Sequence, residues 1–149
     1  MVEKLTDKSV KALPAPPKSN RVFYDTDVKG FGCRVTATGA RAFVLNYRRK
    51  ADGLERRWTI GGFPDWTTGA AREEAKRLKR LIDGGADPVG EQQEARGAPT
   101  VSDLCDRFLA EFSSTLRPST AGDYAALVRM HIKPALGRQK VAAVRYAEI

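Results

Sequence analysis

Three consecutive runs of alternating apolar and polar residues, set apart by glycine turns, constrain this chain most; they span residues 32–38, 41–50 and 54–60. A period of two sends successive side chains to opposite faces of a strand. In the first run Cys33 and Val35 alternate with Arg34 and Thr36. In the second, Phe43, Leu45 and Tyr47 alternate with Val44, Asn46 and Arg48, and in the third Trp58 and Ile60 alternate with Arg57 and Thr59. Thr38-Gly39 turns the chain after the first run, and Asp52-Gly53, a strong hairpin signal, turns it after the second. The pattern predicts an antiparallel meander with one apolar face and one polar, cationic face. Residues 21–25 read as an edge strand ahead of it, and Gly61-Gly62 with Pro64 closes it.

Helical periods flank the meander. Leu5 to Leu13 reads as a short helix in which Thr6 caps the N-terminus and Leu5 packs on Val10. Pro14, Pro16 and Pro17 stop it. After Pro64, Thr67 or Thr68 caps a helix running to about Asp83, with Ala71, Ala75, Leu78 and Ile82 on one stripe. Gly84-Gly85 and Asp87-Pro88 mark its end. Residues 91–99 are polar without an apolar period, and are read as a linker.

Beyond the linker the pattern is purely helical. Thr100 caps a helix with Val101, Leu104, Cys105, Phe108, Leu109 and Phe112 on one face. Arg117-Pro118-Ser119 opens another, whose stripe holds Ala121, Tyr124, Val128, His131, Ile132 and Ala135, with Gly137 ending it. Two helices and a tail close a core poorly, so this unit reads as incomplete. The expected organisation is a domain over 1–90, a linker over 91–99 and a partial helical domain over 100–149. The expected fold class is α+β: a small three-stranded antiparallel sheet packed on a helix, followed by an incomplete all-α segment.

Charge separates the two halves. Residues 1–90 hold 18 Lys and Arg against 11 Asp and Glu, whereas residues 91–149 hold 8 against 7. Such a basic half suits a polyanionic partner, because neutralised phosphates release counterions; many stable soluble proteins are also simply basic. No run approaches the roughly 18 apolar residues of a membrane span, and the first residues lack the apolar core of a signal peptide. The expectation is therefore a cytoplasmic protein without a membrane partner. The chain has 149 residues with one histidine and two distant cysteines, Cys33 and Cys105, so no zinc cluster, metal site, cofactor or disulfide framework is expected.

Five short motifs follow one another in order: Leu5-Thr6-Asp7 opening a helix; Lys29-Gly30-Phe31-Gly32 before a strand; Phe43-Val44-Leu45-Asn46-Tyr47-Arg48; Thr59-Ile60-Gly61-Gly62-Phe63-Pro64 running into Ala70-Ala71-Arg72-Glu73-Glu74-Ala75; and Gly85-Ala86-Asp87-Pro88. Together they resemble the arm-type DNA-binding domain of phage and genomic-island tyrosine integrases. The segment from Thr100-Val101 through Pro118-Ser119-Thr120 to His131-Ile132-Lys133-Pro134-Ala135-Leu136-Gly137 resembles the start of their core-binding domain. Two positions depart from the family pattern: Phe43 stands where a Trp is usual, and Leu54 follows Gly53 where a Lys is common.

The resemblance implies site-specific recombination by the whole protein, integrating and excising mobile DNA, with duplex DNA and other integrase protomers as partners. The family's catalytic Arg, Lys, His-type and Tyr residues belong to a later domain, and Arg145 and Tyr146 do not match its motif. The expectation is a chain that binds DNA without cleaving it and holds no catalytic residue.

The expected DNA-binding residues are Arg34, Thr36, Asn46, Arg48, Arg49, Arg57 and Thr59. Arg bonds a guanine edge, Asn an adenine edge, and Thr a phosphate or a thymine methyl. The same positions also suit an ordinary solvated strand face. Lys76, Arg77, Lys79 and Arg80 read first as the solvated side of an amphipathic helix, with phosphate contact second. His131, Cys33 and Cys105 read as structural. A protein–protein adaptor and an RNA-binding module are the alternatives; few exposed aromatics are available for stacking bases.

Overall fold

The computed structural model describes residues 2–148. Its sheet has the order β1 (Val2–Glu3), β2 (Asn20–Asp25), β3 (Phe31–Thr36), β4 (Arg41–Arg48) and β5 (Glu55–Gly62). Strands β2 to β5 form a four-stranded antiparallel meander, and the two-residue β1 lies parallel to β2. The expected three-stranded sheet is thus too small: the edge strand pairs with β3 from Asn20 to Tyr24, with Val22 opposite Arg34 and Phe23 opposite Cys33.

The alternation is realised as read except at Val44, which stands on the polar phase of β4 yet is fully buried. Phe31, Cys33, Val35, Phe43, Leu45 and Tyr47 are buried on one face, with Trp58 and Ile60 packed beside them. Helices α1 (Asp7–Ala12) and α2 (Thr68–Asp83), with Leu5 and Leu13 flanking α1, supply the other half of this core through Val10, Ala71, Ala75, Leu78 and Ile82. Burial of one such large aliphatic or aromatic side chain contributes about 1.5–3 kcal/mol. The alanines of α2 let that helix lie close on the sheet.

The N-terminal motif has a physical purpose. Thr6 caps α1 in a reciprocal box with Ser9. Asp7 accepts a hydrogen bond from the Thr68 backbone N–H at the start of α2 (2.7 Å). Arg41 closes the other end of α1, donating from Nε to the Val10 carbonyl and from Nη2 to the Leu13 carbonyl, both at 2.9 Å.

Arg72 of α2 turns inward rather than to solvent. Its Nε and Nη2 reach the two carboxylate oxygens of buried Asp25 at 2.9 Å each, and Nη2 also donates to the Leu5 carbonyl at 2.6 Å. Asp25 in turn accepts from the Leu5 N–H at 2.8 Å.

Residues 91–99, read as a linker, are helical over most of their length: α3 spans Pro88–Gly97. Asp87-Pro88 is therefore a start as well as a stop. Proline suits the first turn of a helix, and Tyr47 Oη anchors the entry by donating to Asp87 Oδ1 (2.5 Å) and accepting from the Val89 N–H (3.1 Å).

The chain divides into two compact units between Gln92 and Gln93. The second holds α4 (Val101–Phe112), α5 (Pro118–Leu127), a wide π-type turn over Val128–Ile132, and α6 (Lys133–Leu136). Thr100 caps α4 in a box with Asp103. The segment after α6 clamps the start of α4, with the Val101 N–H donating to the Gln139 carbonyl (2.9 Å) and the Ser102 N–H to the Gly137 carbonyl (3.1 Å).

Of the apolar stripes, only Val101 and Val128 are buried. Leu104, Phe108, Phe112, Tyr124, Leu127 and Met130 stay exposed, with Phe108 stacked on Phe112 at 5.5 Å between ring centroids. Of the residues read as structural, His131 is exposed and Cys105 half-buried, while Cys33 is fully buried. His131 lies within the π-type turn over Val128–Ile132.

Candidate nucleic-acid interface

Within the first unit both α1 and α2 pack on one face of the sheet, and the opposite face carries the polar phase of every strand. Register places Arg34 opposite Ala42, Val44 opposite Thr59, Asn46 opposite Arg57 and Arg48 opposite Glu55. Arg34, Thr36, Asn46, Arg48, Arg57 and Thr59 thus share one face. A bulge between Phe43 and Val44 shifts the pairing so that Thr59, not Ile60, lies opposite Val44.

The environments of these residues differ. Arg57 and Thr59 are exposed, while Arg34 is half-buried, with an Nε that is fully covered and has no hydrogen-bond partner. Arg48 is committed to Glu55, donating from Nη2 at 2.8 Å and from Nε at 3.2 Å. Arg49 lies in the hairpin loop, where Asp52 holds it, with Asp87 Oδ2 3.5 Å from its Nη1. That pairing holds the Asp52 carboxyl well below the usual carboxylate range. Thr36 Oγ1 shares a 2.8 Å hydrogen bond with Thr38 and accepts from the Ala40 N–H at 3.1 Å, which braces the β3–β4 turn.

Asn46 is engaged at both ends. Its Oδ1 accepts from Arg57 Nε at 2.7 Å, and its Nδ2 donates to Tyr24 Oη at 2.6 Å. The Tyr24 ring reaches it past β3, where Tyr24 stands opposite Gly32. A Cβ at Gly32 would lie 2.5 Å from the Phe23 carbonyl oxygen and 3.1 Å from Val22 Cγ1, so only glycine fits there. Gly30 has φ +87°, and a Cβ there would strike the Asn46 carbonyl oxygen at 2.2 Å. The Lys29-Gly30-Phe31-Gly32 motif thereby brings β2 and β4 close around Asn46. Sequence reasoning missed Tyr24, whose place in a strand did not reveal which side chain its hydroxyl would meet.

A cleft of about 970 Å³ opens beside this row, lined by Tyr24, Lys29, Asn46, Arg48, Arg57 and Lys79 among others. On α2, Lys76 is paired with Glu73 and Arg77 with Glu74. Lys79 instead points its Nζ at the Lys29 carbonyl (3.4 Å), so two ammonium-bearing residues flank the cleft without a carboxylate partner among the described residues. Among the described residues no three His, Cys, Asp or Glu side chains gather as a metal set, and no helix is long and apolar enough to cross a membrane.

Residues 5–95 match the Arm DNA-binding domain family, a span that covers strands β2 to β5 with α1 and α2. This chain belongs to that family. Residues 100–149 match the phage integrase N-terminal SAM-like domain, so both parts of this arm-domain protein correspond to integrase modules. Prophage integrase IntF of Escherichia coli (strain K12) is 39% identical over 87 residues, which is 58% of this chain and 18% of the relative. The integrase of Enterobacteria phage P4 is 34% identical over 82 residues, 55% of this chain and 18% of the relative. The chain thus aligns with about a fifth of the length of these curated relatives.

Proposed function

We propose that this arm-domain chain is the DNA-binding part of a site-specific recombinase that integrates and excises mobile DNA, and that it docks the helix-free face of its sheet into the major groove of duplex DNA. One observation carries the proposal: in a member of the arm DNA-binding family, Arg34, Asn46, Arg57 and Thr59 lie together on a sheet face that the unit's own helices leave open. Sheets enter the major groove in known DNA readers. Arg57 and Thr59 supply contacts to base edges, and Lys29 and Lys79 at the cleft supply contacts to phosphates. Arg48 and Arg49, already paired with carboxylates, contribute less than their charge suggests. The 149-residue polypeptide binds without cutting strands.

Duplex DNA binding by the chain tests this. Log K should fall linearly with log salt, with a slope of about −0.9 for each neutralised phosphate. Single-stranded RNA should compete weakly. Binding that is absent at low salt, or indifferent to salt, contradicts the proposal.

A further inference from the structure

We infer that Tyr24, Asn46 and Arg57 form a positioning chain that presents Arg57 to a guanine, and that Asn46 reads no base itself. The inference rests on the DNA-binding role proposed above and assigns who does what on that face.

Asn46 stands on the polar phase of β4, where an unengaged carboxamide would offer an acceptor and a donor matched to adenine. Here each end already makes one bond, the oxygen to Arg57 Nε and the nitrogen to Tyr24 Oη, and these two bonds fix the amide's orientation toward its protein neighbours. Among the described residues the Arg57 guanidinium is tied through Nε alone, so its two terminal nitrogens remain as a fork of N–H donors. Tyr24 Oη, having accepted from Asn46, keeps its own proton to donate.

The row therefore presents donors. That selects an acceptor-rich ligand, either the O6 and N7 edge of guanine or a phosphate. The sheet geometry favours the guanine. Arg57 is on the strand phase that faces outward with Thr59, and its plane is set by a side chain that Tyr24 holds from across Gly32. The fork can take either acceptor, but its plane is set within the row of outward-facing strand residues that meets base edges. The cations placed for phosphate contact, Lys29 and Lys79, lie separately around the cleft.

The experiment uses the 149-residue chain and a randomised duplex pool, from which preferred sequences are selected and then measured individually. The variants are Arg57→Ala, Asn46→Ala, the double variant and Tyr24→Phe, each with its thermal melt and salt slope. The wild type should prefer guanine at one position by about ten- to hundred-fold. Arg57→Ala should erase that preference and leave the other positions intact. Asn46→Ala should weaken the same preference without changing the salt slope, and the double variant should equal Arg57→Ala. Tyr24→Phe should weaken it by a smaller factor; should Asn46→Ala melt too early to assay, Tyr24→Phe alone decides, and an unchanged preference overturns the inference. An adenine preference lost in Asn46→Ala, no base preference in the wild type, or an even loss across all sequences in Arg57→Ala with a shallower salt slope would also overturn it. In each of these cases retained salt-dependent binding leaves the DNA-binding role standing; absence of any duplex binding removes both.

Discussion

Arg72 and Asp25, 47 positions apart in sequence, form a two-pronged ion pair beneath the sheet edge, with Nε to Oδ2 and Nη2 to Oδ1 both at 2.9 Å. The Asp25 carboxylate is fully buried and also accepts the Leu5 N–H. Burial alone would push its pKa up, but the Arg72 and Leu5 bonds outweigh it and hold the carboxyl below its ordinary value. Removing one partner of a buried pair leaves a charge uncompensated, at a cost of about 3–5 kcal/mol. Arg72→Ala should therefore lower the melt sharply. Below that melt it should bind DNA as the wild type does, because Arg72 faces the core and not the groove. A stable Arg72→Ala protein with weakened DNA binding would reverse this assignment.

Acid should unfold the first unit through the same group. Asp25, Asp7 and Asp87 all have pKa values below the ordinary carboxylate value: Asp7 through the Thr68 bonds, Asp87 chiefly through the Tyr47 hydroxyl. A carboxyl with a depressed pKa in the folded state contributes stability that is complete above its unfolded pKa and is lost as pH falls through the folded one. The melt of the wild type should hold above about pH 5 and fall below about pH 4. Asp25→Asn should start less stable and show a shallower fall over that window. An equally steep fall in Asp25→Asn would place the acid sensitivity elsewhere.

Much of the fold is legible because β3, β4 and β5 largely alternate and each turn between them carries a glycine, so the phase of Phe43, Leu45 and Tyr47 follows from spacing; Val44, apolar between Phe43 and Leu45, breaks the alternation and is also buried. What escapes is pairing between distant polar residues. Arg72 sits in a helix crowded with charge, where an arginine ordinarily reads as solvated, and nothing local marks Asp25 as its partner. Asn46 is likewise recognisable as outward-facing but not as engaged, since its partners Tyr24 and Arg57 come from two other strands. The α3 helix has no apolar period to betray it; it is tied down by Tyr47 at its start and by Lys140, which donates to the Arg96 carbonyl, near its end. His131 shows the opposite failure: it sits on a regular apolar period, yet that stripe is exposed both at Tyr124, before the π-type turn, and at His131 within it.

Glu55 is the acid that masks Arg48 on the open sheet face, and both side chains are about three-quarters exposed. Such a surface pair contributes about 0–1 kcal/mol to stability. Glu55→Ala should leave the melt nearly unchanged, within about 0.5 kcal/mol. It should tighten DNA binding, because it removes a repulsive charge and frees a cation; if Arg48 then takes a phosphate, the salt slope steepens by about 0.9. Arg48→Ala in the wild type should have the smaller effect of the two. Weaker binding by Glu55→Ala would show that the pair itself, and not a free Arg48, belongs to the interface.

Tyr47 joins the sheet to the entry of α3 through one hydroxyl that serves Asp87 and the Val89 N–H. Tyr47→Phe should cost about 1–3 kcal/mol, the penalty for stranding these groups. Burial and then the Asp87 bond push the phenol up to about 12. A raised pKa means that its contribution is complete below the unfolded value near 10 and disappears as pH rises through about 12. Ultraviolet titration should find one tyrosine that ionises about two units later than an ordinary one. Its disappearance in Tyr47→Phe would assign it.

The 149-residue polypeptide should leave DNA strands intact. Cleavage by a tyrosine requires a phenol that can lose its proton as it attacks the phosphodiester, and cations placed on the oxygens where charge develops. Tyr47 is the reverse of an activated phenol, since it donates to a carboxylate and its pKa is raised. Tyr24 receives a proton donor from Asn46 and holds Arg57 through it, a bond that serves orientation. Tyr124 packs its ring 6.0 Å from that of Phe108, and Tyr146 is 95% exposed. Supercoiled DNA incubated with the protein should show no nicking, no relaxation and no covalent adduct, with or without Mg²⁺. A phosphotyrosine adduct mapped to any of these four residues would refute the non-cleaving role, and one at Tyr24 would also recast the sheet face as a site of chemistry.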